Sequence, residues 1–216
     1  MRVVIAGGHG KIALRLERLL AARGDEPVGI VRNPGHLADL SRGVVCDLES
    51  ATTAEVAALL EGAGAVVFAA GAGPGSGVPR KDTVDRGASV LLADACELAG
   101  VRRFVQVSAM GVDGPPREGT DEVFAAYLRA KAAAEEDLRS RDLDWTILRP
   151  GRLTDAPGTG RVALAPPPLG RGEVTRDDVA AVLLALLDEP ATSGLTLDLL
   201  NGDTPVSRAV RDVLPG

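Results

Sequence analysis

Six short apolar runs, most of them followed by an amphipathic Ala/Leu segment, constrain what this chain can fold into more than any single residue does. Val3–Ala6, Val28–Val31, Val44–Cys46, Ala65–Ala69, Arg103–Val107 and Trp145–Leu148 read as strands. Helices are expected over Lys11–Arg23, Thr53–Glu61, Asp82–Ala99 and Glu122–Arg139. The strand runs are nearly continuous in apolar residues rather than alternating with polar ones, as strands covered on both faces require. An α/β fold is expected: a doubly wound parallel sheet with helices on both faces. Three Phe, one Tyr and one Trp are all the aromatics, so the core must rest on many small Ala, Val and Leu contacts.

The last third changes character. Pro150, Pro157 and Pro166–Pro168 break the repeat. Thr175 with Asp178 three residues on resembles a capping-box start for a helix continuing over Val179–Asp188. Leu195–Leu199 alternates like an edge or late strand. We expect this part, from about residue 150, to form a small C-terminal lobe over the ligand crevice. The 216 residues are expected to form one domain, since they are too few for two ordinary enzyme domains.

Composition removes several classes. A 45% hydrophobic, 25% charged chain is globular rather than disordered. The net charge of -6, without a Lys/Arg block, argues against nucleic-acid or anionic-membrane surfaces. No window approaches the ~20 apolar residues of a membrane span, and Met1–Ala6 is too short for a signal peptide. The only cysteines, Cys46 and Cys96, are expected to be reduced thiols in a cytoplasmic protein. With His9 and His36 as the only histidines, no metal cluster is expected. A Ser–His hydrolase is excluded because Ser108 lacks a G-x-S-x-G elbow.

The turn Gly7-Gly8-His9-Gly10-Lys11-Ile12-Ala13 sits between the first strand and the first helix. Gly7 permits the tight turn, Gly10 lets backbone approach a pyrophosphate, and Ala13 is small enough for close helix–strand packing. The helix start offers free N–H groups and the positive end of its dipole. The fold expected is therefore Rossmann-type, with a dinucleotide at this turn. Strand two ends in Arg32-Asn33, where NAD sites usually carry an acid for the ribose 2′-hydroxyl. A guanidinium there suits a 2′-phosphate, so NADP(H) is expected over NAD(H). Lys11 could neutralise phosphate, and His9 is expected to contact phosphate or solvent. Asp47-Leu48 would face the adenine, and Ala69, Ala70, Gly71 and Ala72 the cofactor backbone. The Gly71–Val78 stretch reads as either a lid or a loose loop.

Gly7-x-x-Gly10-x-x-Ala13, Arg32, Asp47-Leu48, Ser108, Tyr127-x-x-x-Lys131 and Arg149-Pro150-Gly151-Arg152-Leu153 together resemble an atypical short-chain dehydrogenase/reductase. The similarity is to its small NAD(P)H-binding members, labelled epimerases or reductases, and to biliverdin/flavin reductases and NmrA-like regulators. It spans nearly the whole chain. The resemblance implies a catalytic set of Ser108, Tyr127 and Lys131, with Asp85 where the wider family has Asn. It places Pro150, Gly151, Arg152 and Leu153 on the nicotinamide side, with Val107 and Lys131 also in the cofactor set. Tyr127 and Lys131, four apart, share one helix face, and a nearby ammonium would ease phenolate formation.

Three functions follow as expectations. The first is NADP(H)-dependent hydride transfer to a small carbonyl, quinone or flavin-like acceptor. The second is a non-catalytic NADP(H) sensor acting through a protein partner. The third, a sugar-nucleotide epimerase, needs a larger C-terminal part than this chain has.

Overall fold

The computed structural model describes residues 1–73, 75–116 and 118–214. In chain order it runs β1 (Arg2–Ala6), α1 (Lys11–Ala22), β2 (Glu26–Val31), β3 (Gly43–Val45), α2 (Thr53–Leu59) and β4 (Ala65–Phe68). Then come α3 (Val78–Arg80), a π-helical segment Lys81–Gly87, α4 (Ala88–Ala99), β5 (Arg103–Val107), α5 (Glu122–Arg139) and β6 (Asp144–Pro150). The remainder is β7 (Arg152–Thr154), β8 (Arg161–Ala165), β9 (Glu173–Thr175), α6 (Arg176–Leu187), β10 (Leu195–Asn201), β11 (Thr204–Pro205) and α7 (Val206–Asp212).

Among the described residues, nine strands form one sheet in the order β11-β8-β10-β6-β5-β4-β1-β2-β3. From β3 to β10 every neighbouring pair is parallel. The order reverses between β1 and β4, which leaves a crevice at the carboxyl ends of these two strands. The fold is the Rossmann-type α/β arrangement that the alternating runs imply.

Successive strand residues point to opposite faces, and both faces are filled. Val3 and Ile5 meet Leu16 and Leu20 of α1 and Leu183 and Leu186 of α6 on one side. Val4 and Ala6 meet Val56 of α2 and Leu92 of α4 on the other. Each fully buried Leu or Val of this kind stabilises the fold by ~1.5–3 kcal/mol. This double coverage is why the strand runs are apolar throughout.

One expectation needs correction. The helix expected over Asp82–Ala99 begins as a π-helix through Gly87 and becomes α-helical only at Ala88. Of the two readings of Leu195–Leu199, edge or late strand, the second holds: β10 pairs in parallel with β6 and antiparallel with β8. The C-terminal third is therefore stitched into the main sheet, and β7 with β9 makes a separate two-stranded ribbon. The short β7, β8, β9 and β11 and helix α7 lie where prolines and glycines hide any periodicity. Cys46 and Cys96 are free thiols, and burial pushes Cys96 up to about 12. No helix of the described residues is long and apolar enough to cross a membrane. Among them, no cluster of three or more His, Cys, Asp or Glu side chains is placed to hold a metal ion.

Candidate active site

The turn after β1 has no space for side chains at its three glycines. Gly7 has φ +78°, and a Cβ there would meet Ala70 Cα at 2.6 Å. At Gly8 a Cβ would meet Gly29 Cα at 2.6 Å, and at Gly10 the Gly7 carbonyl oxygen at 3.0 Å. The Gly8 N–H donates to the Ile30 carbonyl, which ties the turn to β2. Helix α1 then starts at Gly10 with no side-chain cap and no acid in its first turn. Its first amides are left for a ligand, and an anion there gains ~0.3–2 kcal/mol from the dipole.

Two cavities open along the carboxyl edge and share Ala69, Ala70 and Gly71 as a common wall. The first, about 400 Å³, is lined by Gly7, His9, Gly10, Arg32, Asn33, Asp47 and Leu48. The second, about 470 Å³, is lined by Ile12, Ala72, Asp85, Val107, Ser108, Tyr127, Lys131, Pro150 and Leu153. All four residues assigned catalytic roles thus fall in one cavity, next to the glycine turn. Both volumes suit small-molecule sites of ~300–1,000 Å³.

Three residues of the cofactor set lie elsewhere. Lys11 lines neither cavity; its ammonium donates to Asp155 at 2.6 Å. The Gly151 N–H is taken by the Leu199 carbonyl, and a Cβ at Gly151 would strike Leu200 and Gly172. Arg152 is exposed and paired with Glu173. In the Gly71–Val78 stretch, Gly71, Ala72, Gly73 and Gly75 form cavity wall, while Pro74 lies outside the described residues.

Sequence reasoning passes over several lining residues. His36 stacks on His9 with ring centroids 3.7 Å apart, and His9 Nε2 is 2.9 Å from Asp39. Glu49 and Arg80 join the first cavity, and Lys81 and Phe124 the second. Behind the second cavity, Glu135 accepts from Ser108 Oγ at 2.5 Å, from Arg149 Nε and Nη2 at 2.9 and 2.7 Å, and from Arg139 at 2.6 Å. The same Arg149 grips Asp113 at 2.7 and 2.8 Å. A signal for Glu135 existed: Tyr127, Lys131 and Glu135 follow the four-residue spacing of one helix face.

The profile of an NAD(P)H-binding protein family matches residues 7–190. The chain belongs to that family. The Bacillus subtilis protein YhfK, named an uncharacterised sugar epimerase, is 36% identical over 98% of this chain and 99% of its own. A Bacillus halodurans structure, provisionally assigned as an NAD-dependent epimerase/dehydratase, has a TM-score of 0.91 and 35% identity, covering 99% of this chain and 100% of its own. ChuY, an anaerobillin reductase from Escherichia coli, has a TM-score of 0.79 and 26% identity, covering 94% of this chain and 98% of its own.

In this NAD(P)H-binding protein the π-helical segment turns Lys81, Val84 and Asp85 inward, so it walls both cavities. Asp85 is fully buried; its Oδ2 accepts from the Ala72 N–H at 3.2 Å, and Oδ1 lies 3.3 Å from Lys131 Nζ. Oδ1 has no well-aligned hydrogen bond of its own. Lys131 also donates to the Val107 carbonyl at 3.2 Å and lies 5.4 Å from the Phe68 ring centroid. Burial pulls its ammonium below the ordinary value, against the opposing pull of Asp85.

Tyr127 behaves differently from the expectation for a Tyr beside a Lys. Burial, and then the Asp85 carboxylate, push its phenol above the ordinary value. Lys131 Nζ is 5.9 Å from the ring centroid and is held by Asp85, so its charge does not offset them. The phenol is neutral at neutral pH. Ser108 directs its proton at Glu135.

Proposed function

We propose that this protein is an NADP(H)-dependent oxidoreductase that reduces a small carbonyl, quinone or flavin-like acceptor. The observation that carries the reading is the convergence of Tyr127, Lys131 and Asp85 in a cavity sharing its wall with the glycine turn. A bound nicotinamide supplies the hydride. The α1 amides and the glycine turn hold the pyrophosphate, and Arg32 takes the 2′-phosphate. Lys131, fixed by Asp85 and backbone carbonyls, holds the ribose hydroxyls.

Tyr127, kept neutral, gives its phenolic proton to the acceptor as negative charge develops there. With its own proton on Glu135, Ser108 presents lone pairs to the cavity, which leaves Tyr127 as the donor. Phe124, 52% exposed, stacks beside Tyr127 at 5.8 Å and gives a conjugated acceptor a flat wall. ChuY's reductase name supports reduction over epimerisation.

The test is NADPH oxidation against a panel of carbonyls, quinones and flavins, with Tyr127→Phe as control. We expect turnover with at least one acceptor and a loss of about 10²–10⁴-fold in the variant. No turnover with any of them, together with an unaltered variant, would remove the catalytic assignment. Calorimetry should show NADPH bound more tightly than NADH, with Arg32→Ala erasing most of the difference. Equal affinities in the parent protein contradict the role of Arg32.

A sensor that reports NADP(H) to a protein partner is the second reading. It is favoured by Asp85 standing where the wider family has Asn and being tied to Lys131. A cofactor-dependent partner in a pull-down, without turnover, would support it.

A further inference from the structure

The first cavity contains a carboxylate in an unexpected place. Glu49, in the loop after β3, lines it together with Arg32 from the end of β2 and Arg80 from the end of α3. Glu49 Oε2 accepts from Arg32 Nη1 at 3.0 Å and from Arg80 Nη2 at 2.7 Å. Its Oε1 accepts from Thr83 Oγ1 at 2.6 Å. Two guanidiniums and a hydroxyl converging on one anionic group are the donors that a phosphate monoester binds.

We propose that Glu49 is a specificity-determining residue that occupies the 2′-phosphate position as an internal competitor, and that Arg80 is a second arginine of that position. The inference rests on the dinucleotide reading above and deepens it. Two guanidiniums and one carboxylate leave one positive charge, and a phosphate dianion added to all three is opposed by Glu49. The phosphate must displace the carboxylate from both arginines or bind against its repulsion. A cofactor with a free 2′-hydroxyl meets no such conflict, because Glu49 can accept a hydrogen bond from that hydroxyl while keeping its arginines. Glu49 thereby narrows the gap between the two cofactors that Arg32 and Arg80 alone would set. Arg80 immediately precedes Lys81, the first residue of the π-helical segment. A phosphate drawn to Arg80 therefore bears on the chain segment that carries Asp85.

The experiment titrates adenosine 2′,5′-bisphosphate and adenosine 5′-monophosphate into the full chain by calorimetry, a readout that needs no turnover. The parent protein, Glu49→Gln, Arg80→Ala and Arg32→Ala are compared, with the thermal midpoint of each recorded. We expect the parent to prefer the bisphosphate and Glu49→Gln to raise bisphosphate affinity about fivefold or more, since a like charge is removed. Arg80→Ala should lower bisphosphate affinity by about the same factor while monophosphate binding stays within about twofold. If Glu49→Gln binds the bisphosphate no better while Arg32→Ala still removes the preference, the Glu49 inference fails and the 2′-phosphate reading survives. An Arg80→Ala variant indistinguishable from the parent removes Arg80 from the position. If the parent shows no preference and Arg32→Ala changes nothing, both fall together.

Discussion

Glu17 lies beneath the dinucleotide turn rather than in it. Its side chain is buried between α1 and the crossing of Gly8 with Gly29; a Cβ at Gly29 would come within 2.6 Å of Oε1. Neither carboxyl oxygen has a well-aligned hydrogen bond. Burial raises the group to about 7, and the Ser41 backbone offsets only part of this. An unfolded Glu titrates near ~4.3. A carboxyl raised on folding contributes most below its unfolded pKa, and that contribution disappears as pH rises through the folded value. Unfolding by urea across the range from about pH 4.5 to 8 should show the parent losing ~2–3 kcal/mol of stability that Glu17→Gln does not lose. Parallel pH profiles for the two proteins would rule the assignment out. Glu17 was hidden in the sequence because an acid on an amphipathic helix normally faces water; only the glycine-on-glycine contact brings this one inside. The glycine turn was legible because it sits between the first strand and the first helix, whereas Ser108, Tyr127, Lys131 and Asp85 were singled out by the family resemblance, and the structure lines one cavity with all four. The Glu49–Arg80 contact, 31 residues apart in sequence, joins the loop after β3 to the end of α3, and no periodicity encodes such a pair.

Helix α6 shows how one element's start can fix another segment. Thr175 Oγ1 accepts from the Asp178 N–H at 3.0 Å and donates to its carboxylate at 2.9 Å. That carboxylate, almost fully buried, also accepts from the Thr159 and Gly160 N–H groups at 3.0 and 2.8 Å. Removing the cap alone typically costs ~0.5–2 kcal/mol. Asp178→Ala also strands two loop amides, so it should be the worse of the two, destabilising by roughly 2–4 kcal/mol. The urea midpoints of Thr175→Ala and Asp178→Ala test the ranking, and equal midpoints would contradict it. The Thr–Asp spacing announced this helix in the sequence, because a capping pair is a local signal. The π-helical segment gave none. Asp82–Ala99 is apolar enough on one face to read as a single α-helix, whereas Lys81–Gly87 is π-helical, buries Lys81 and Asp85, and packs against α5.

Across the molecule, the strand order from β3 to β6 follows from local rules, since each parallel crossover places the next strand at a predictable side. What the rules leave open is where the chain returns after β6. It leaves β6 to form the separate β7–β9 ribbon, β8 and α6, and then β10 enters the main sheet between β6 and β8. The strands on that side are short and punctuated by proline, so their pairing depends on partners far away in sequence.

That insertion has a consequence for biogenesis. As the protein leaves the ribosome, the half built from β1–β6 and covered by α6 is made before Leu195 appears, and one flank of β6 stays bare until β10 arrives to cover it. The nascent chain thus passes through a stage with an unpaired strand border, a stage at which chaperone binding or self-association competes with closure. A bound nucleotide would steady the finished half through that interval without protecting the uncovered flank.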